Sequence, residues 1–151
     1  PLTSSAASDV YKRQPTRAIF GKKDYQQLLL ISDFVKENNL PINIIGSEIV
    51  RDQSGLALSS RNNHLSDDEK KLASNLYKTL KIIANKLDTL TINDIINEKN
   101  KLSDLGFSID YLNVCNPLEL SEESNYNIRP LIVAIAAYIG EIRLIDNILI
   151  T

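Results

Sequence analysis

The chain has 151 residues, with 17 basic and 19 acidic side chains for a net charge of −2, 43% hydrophobic residues and 24% charged ones. That balance describes an ordinary globular chain of one domain or two small pieces, and it excludes a global electrostatic pull toward nucleic acid or anionic membrane. The single cysteine, Cys115, excludes an internal disulfide and fits a reducing compartment; no apolar run reaches the roughly 18 residues of a membrane span, and no signal peptide stands at the start, so the cytoplasm is expected.

Residues 1–14 are rich in small polar side chains and carry no periodicity, so they are read as a non-native tail and set aside. Thr16 to Phe20 is expected as a short strand. Lys23 to about Asn38 should be a helix, because Tyr25, Leu28, Leu29, Ile31, Phe34 and Val35 fall on one broad face. Asn38, Asn39 and Pro41 end it, and Ile42 to Ile45 reads as the next strand. Strand, helix and apolar strand make a βαβ unit, with both strands parallel and buried. Ligands of such sheets sit at the carboxyl ends of the strands, where Gly21 and the segment Ile49–Arg61 both fall.

From Ser66 the pattern changes. Ser66 and Glu69 have the spacing of a capping box, and Leu72, Ala73, Leu76, Leu80, Ile83, Ala84 and Leu87 predict a helix of about 20 residues. A second helix starts at Thr91, with Ile92, Ile95, Ile96, Leu102 and Leu105 on its face and Gly106 as its stop. Ile109–Cys115, Leu131–Ile139 and Ile142–Ile150 read as strands, the last two joined by a Gly140-Glu141 turn. Helices followed by strands predict a small α+β domain, with its boundary between Asn62 and Ser66.

Two stretches carry chemistry. Gly21-Lys22-Lys23-Asp24-Tyr25-Gln26-Gln27 stands where a strand gives way to a helix, a place suited to anions; lysines are unfavourable at a helix start, which suggests another task for Lys22 or Lys23. Gly55-Leu56-Ala57-Leu58-Ser59-Ser60-Arg61-Asn62 offers paired hydroxyls and a guanidinium to phosphate oxygens, with a second arginine, Arg51, ten residues before Arg61. Read singly, the second stretch is as readily a surface connection, since Ser, Asn and Gly are common loop residues.

Taken together, in this order and spacing, the stretches resemble the pantoate–β-alanine ligase (pantothenate synthetase) family, whose pattern reads Gly-X-Lys-Asp-Tyr/Phe-Gln-Gln and then Asp-Gly-Leu-Ala-Leu/Met-Ser-Ser-Arg-Asn. Ser54 stands where Asp is common. The likeness runs from about Pro15 to the C-terminus. It implies an α/β fold: residues 15–62 as the C-terminal part of a Rossmann-like nucleotidyltransferase domain that binds ATP and pantoate, and residues 63–151 as a small α+β domain of two helices and about three antiparallel strands.

The resemblance further implies an ATP-dependent, AMP-forming ligase that condenses pantoate with β-alanine through a pantoyl-adenylate, for pantothenate and coenzyme A biosynthesis. It assigns Gly21, Lys22, Lys23, Asp24, Val50, Leu58, Ser59, Ser60 and Arg61 to ATP, Gln27 to pantoate, and catalysis to Lys23, Ser59, Ser60 and Arg61. It assigns no metal ligand here: the Mg²⁺ ligands and a His-X-Gly-His motif are expected upstream, so the chain alone is expected to be inactive. A homodimer is implied for the full-length enzyme. Competing readings are a non-catalytic nucleotide-binding or dimerisation module and another nucleotidyltransferase, the latter disfavoured by Gln26 and Gln27. Outside the motifs, His64 reads as exposed, Cys115 as an inert strand residue, Asp67 and Asp68 as helix-start charges, and Glu119, Glu122 and Glu123 as a solvated loop.

Overall fold

The computed structural model describes residues 15–151, so the tail reading of residues 1–14 lies outside the described residues. The chain divides into two compact units, one ending at Ile49 and one running from Val50 to Thr151. The division falls ahead of the expected boundary at residues 62–66: the segment from Val50 to Asn62 goes with the second unit. Its contacts explain this, because Arg51 is bonded to Asp146 near the C-terminus.

In the first unit, β1 (Arg17–Gly21) pairs in parallel with β2 (Asn43–Ser47), and α1 (Tyr25–Glu37) connects them. This is the expected βαβ arrangement. A 3₁₀ turn, Lys22–Asp24, precedes α1, so the α-helix starts at Tyr25 rather than Lys23. Asn39 takes the left-handed conformation (φ 49°) that lets Leu40 N–H reach the Val35 carbonyl, which stops the helix as its residue type foretells. The strands are not buried as expected. No residue of either strand is fully covered, and Ile19 is 69% exposed. Only Ile31 and Val35 of the unit's described apolar residues reach core burial. A two-stranded sheet has a single ladder, so both strands are edges, and one helix can cover only one of its faces.

The second unit holds the main core. Here β3 (Ser108–Cys115), β4 (Leu131–Ile139) and β5 (Ile142–Ile150) form an antiparallel sheet with β4 in the middle. Ser66 caps α2 (Asp67–Ala73) through a complete capping box with Glu69. The expected 20-residue helix is interrupted: α2 ends at Ser74, whose hydroxyl turns back to the Lys71 carbonyl, and α3 (Asn75–Lys86) follows. A serine that bonds its own backbone competes with helix continuation. Thr91 caps α4 (Ile92–Asp104) through a second capping box, with Asp94.

Leu76, Leu80 and Ile83 of α3 pack with Leu131, Val133, Ile135 and Ala137 of β4 and with Leu112 and Val114 of β3. On α4 the buried face is Ile95, Glu98 and Leu102; Ile92, Ile96 and Leu105, expected on that face, are exposed. Glu98 takes a place in the buried stripe by pairing with Lys101. Gly106 (φ 100°) ends α4 and Gly140 (φ 55°) turns β4 into β5, both at positive φ where a side chain is strained. Among the described residues no helix is long and apolar enough to cross a membrane.

Candidate functional site

The assigned residues fall into two groups, one in each unit. In the first unit, β1 ends at Gly21 and β2 ends at Ser47, paired in register. The next residues in each strand's direction, Lys22 and Glu48, form an ion pair. The cation at this sheet edge therefore faces a carboxylate of the same unit, which competes with any incoming anion. Gly21 has negative φ (−71°), and a Cβ there would meet no atom within 4 Å. Its conformation does not demand glycine; open space lies beside its backbone. Gly46 differs, since a Cβ would come within 3.1 Å of the Leu28 side chain and 3.3 Å of Lys22. Lys23 and Tyr25 are half-buried, whereas Asp24, Gln26 and Gln27 are exposed on the 3₁₀ turn and the start of α1. Burial pushes the Tyr25 phenol up, with the nearby Lys22 charge opposing it.

In the second unit, Val50 to Leu58 folds back on itself as a small hairpin. Asp52 N–H donates to the Leu56 carbonyl (3.0 Å) and Leu58 N–H to the Val50 carbonyl (2.9 Å), while Arg51 bridges Ala57. Asp52 stabilises the bend: its Oδ1 accepts from the Ser54 hydroxyl (2.6 Å), Ser54 N–H (2.8 Å) and Leu56 N–H (3.0 Å). The Ser54 hydroxyl is the main cause holding the Asp52 carboxyl below its ordinary range. The departure Ser54 thus supplies a donor where aspartate would bring a second negative charge. Gly55 (φ 92°) lies at the tip, and a Cβ there would stand 2.8 Å from the Tyr77 ring.

Beyond the hairpin, Ser59 caps a 3₁₀ helix, Ser60–His64, accepting from Arg61 N–H at 3.3 Å. Asn62 is buried and donates to the Ala57 carbonyl (3.1 Å), which ties this turn to the hairpin; its own Oδ1 has no partner among the described residues. The Arg61 side chain is exposed and makes no ion pair with a described residue. Val50 and Leu58 are 65% and 54% exposed, so Val50 is not a core residue. Two apolar side chains held beside each other in solvent offer a surface for a flat, weakly polar group. His64 is exposed and Cys115 buried.

Arg51 is the residue whose neighbours the sequence concealed. Its guanidinium forks onto Asp146 (2.5 and 2.9 Å), donates to the carbonyls of Gly55 (3.2 Å) and Asn147 (3.3 Å), and lies 3.6 Å from the Tyr77 ring centroid. Asp146 is legible in hindsight: it stands in phase with Ile142, Leu144, Ile148 and Ile150, opposite Ile135, where an apolar residue would be expected. A carboxylate in a core-facing register position signals a buried partner. Among the described residues no group of three or more His, Cys, Asp or Glu side chains could hold a metal ion.

The profile of the family described as Pantoate-beta-alanine ligase matches residues 11–149. The match begins four residues inside the segment read as a non-native tail. Pantothenate synthetase of Acinetobacter baylyi is 43% identical over 137 residues, covering 89% of this chain and 48% of that protein. That of Shewanella sediminis is 42% identical over 140 residues, covering 91% of this chain and 50% of its own length. The chain spans about half the length of the curated relatives it matches. A pantothenate synthetase structure from Thermus thermophilus superposes with a TM-score of 0.87 at 34% identity, over 96% of this chain and 53% of that one. A pantoate–β-alanine ligase from Francisella tularensis, complexed with β-γ ATP and β-alanine, gives a TM-score of 0.71 at 28% identity over 95% of this chain and 47% of that one. With its motifs, its fold and these likenesses in agreement, the chain belongs to the pantoate–β-alanine ligase family.

Proposed function

We propose that these residues form the second half of an ATP-dependent ligase that joins pantoate to β-alanine. In the first step a pantoate carboxylate oxygen attacks the α-phosphorus of ATP, the bond to the bridging oxygen breaks, and pyrophosphate leaves. In the second the β-alanine amine attacks the acyl carbon of the pantoyl-adenylate, an amide forms with loss of a proton, and AMP departs. Both steps build charge on oxygens, so fixed cations and N–H donors lower their barriers.

The observation that carries this reading is the turn at Ser59–Asn62. It is capped by one serine, anchored by the buried Asn62, and presents Ser60 and the guanidinium of Arg61 to solvent with no anionic partner among the described residues. Ser59, Ser60, Arg61 and Lys23 are assigned to the phosphates and the charge of the adenylation step. Gly21, whose backbone has open space beside it, is assigned to close approach of ATP together with Lys22 and Asp24. For Lys22 this requires that the nucleotide compete with Glu48. Val50 is assigned to the adenine side, which its exposure supports, and Leu58 to the triphosphate loop with Ser59, Ser60 and Arg61. Gln27, exposed near the start of α1, is assigned to pantoate.

The parallel β1-α1-β2 unit supports a Rossmann-like ATP domain. The ATP and β-alanine named for the Francisella tularensis ligase support the substrate pair. No Mg²⁺ ligand is assigned among the described residues. The full-length enzyme is taken as a cytoplasmic homodimer, by resemblance to the family.

The decisive experiment is isotope exchange between pyrophosphate and ATP in a full-length ligase carrying these residues. Loss of one charged hydrogen bond costs roughly 1.5–3 kcal/mol. Arg61→Ala should therefore slow exchange on the order of ten- to a hundredfold. Exchange at the unaltered rate would remove Arg61 from the phosphate site.

A further inference from the structure

Arg51 invites the same assignment as Arg61, since it is a guanidinium ten residues upstream in the same segment. Its surroundings point elsewhere. Both terminal nitrogens donate to Asp146, one also to the Gly55 carbonyl and the other to the Asn147 carbonyl, and the flat face lies on Tyr77. Asp146 is 5% exposed and accepts in addition from Asn147 N–H at 2.8 Å. An arginine so occupied has little left to offer an incoming phosphate. What it does hold is the root of the hairpin: Arg51 bridges Ala57, whose carbonyl receives the Asn62 side chain, and Asn62 closes the turn that begins at Ser59.

We propose that Arg51, clamped between Asp146 and Tyr77, is a positioning residue for ATP: it touches no nucleotide and sets where Ser59, Ser60 and Arg61 stand. The inference rests on the reading of that turn as the phosphate grip. Three features converge on it. The fork is bidentate, which fixes the orientation of the guanidinium as well as its distance, and lysine cannot copy this. The clamp's aromatic floor also receives the hairpin tip, because Tyr77 lies against Gly55 so closely that any side chain there would collide. And a buried ion pair contributes little net stability compared with apolar side chains of the same volume, so retention of one under this loop is explained by geometry better than by stability.

The test uses a full-length ligase carrying these residues, with the double substitution Arg51→Met and Asp146→Leu. Removing both charges together leaves neither buried alone, so the fold is expected to survive with its thermal midpoint little changed. The ATP KM should rise about tenfold, the scale of one lost charge-assisted hydrogen bond, while the pantoate KM stays unchanged. A purely structural role would reduce the active fraction, and therefore kcat, without moving one KM against the other. Arg51→Lys serves as the second variant should the double one not fold: it keeps the charge, loses the fork, and should raise the ATP KM in the same direction. Arg61→Ala runs alongside. If it slows pyrophosphate–ATP exchange while neither Arg51 variant moves the ATP KM, the positioning role is overturned and the phosphate reading stands. If Arg61→Ala leaves exchange intact, the phosphate reading falls and the positioning role falls with it.

Discussion

The two units carry comparable amounts of chemistry on very different amounts of core. The second unit buries a continuous apolar cluster from Leu56 to Leu144, and its functional segment is tied to that cluster at both ends, by Arg51 and by the buried Leu56, Ala57 and Asn62. In the first unit the described core is Ile31 and Val35, and the motif Gly21–Gln27 stands on strands that stay partly exposed. The difference teaches that a legible motif says nothing about the rigidity of its support. Gln27 and Arg61 belong to equally recognisable stretches, yet only the latter's backbone is held by side chains from a dense core. Local stability follows buried apolar contact, so the second unit's segment should be the harder of the two to deform.

The largest expected effect breaks the comparison on its core side. Leu80→Ala removes a fully buried side chain of α3. It should cost about 2–5 kcal/mol, read by urea denaturation. Ile19→Ala, on the exposed face of β1, should change stability by no more than about 0.5 kcal/mol. Equal losses would mean that the first unit's sheet is covered in solution.

The glycines sharpen it next. Gly55→Ala puts a Cβ at positive φ and against the Tyr77 ring. A loss of about 1–3 kcal/mol is expected in thermal denaturation. Gly21→Ala meets open space at ordinary φ, so its stability effect should stay within about 1 kcal/mol and can be favourable. Its cost should instead appear as a weaker ATP KM; an unchanged KM would remove Gly21 from the nucleotide.

A smaller effect separates the substrates. Gln27→Ala should raise the pantoate KM by up to about tenfold, the scale of one neutral hydrogen bond, with ATP affinity unchanged. Loss of both affinities together would place Gln27 in the support of the unit rather than at pantoate.

The smallest concerns acid. The hydrogen bond from Lys86, then those from Thr91, hold the Asp94 carboxyl at about 2 against an ordinary 3.8. A carboxyl whose folded pKa is depressed contributes stability that is complete above about 3.8 and is lost as pH falls toward about 2. Asp94→Asn should flatten that part of the acid limb of the second unit by lowering stability slightly at neutral pH, while stability below about pH 2 stays nearly as it was. An unaltered acid limb would mean that the Lys86 and Thr91 contacts are not kept in solution.

Much of this molecule was settled locally and is therefore legible in its sequence. The Ser66–Glu69 box depends on residues three apart; so does the Thr91 cap, although its partner Asp94 was not read in advance. Asn39 and Gly140 take the backbone conformations their types favour, and the apolar phases of α3 and β4 are those of their core faces. The family was legible for the same reason, since two motifs built from consecutive residues keep their order and spacing in the chain. What only the tertiary structure decided involves residues far apart or a balance between competing contacts. The break at Ser74 sets its hydroxyl's local hydrogen bond against continuation of the helix, which apolar periodicity does not weigh. The exposure of β1 depends on what lies across the sheet. The surroundings of Arg51 depend on Asp146, 95 residues away, and a guanidinium bound to a buried carboxylate has the same letter in the sequence as one exposed to solvent.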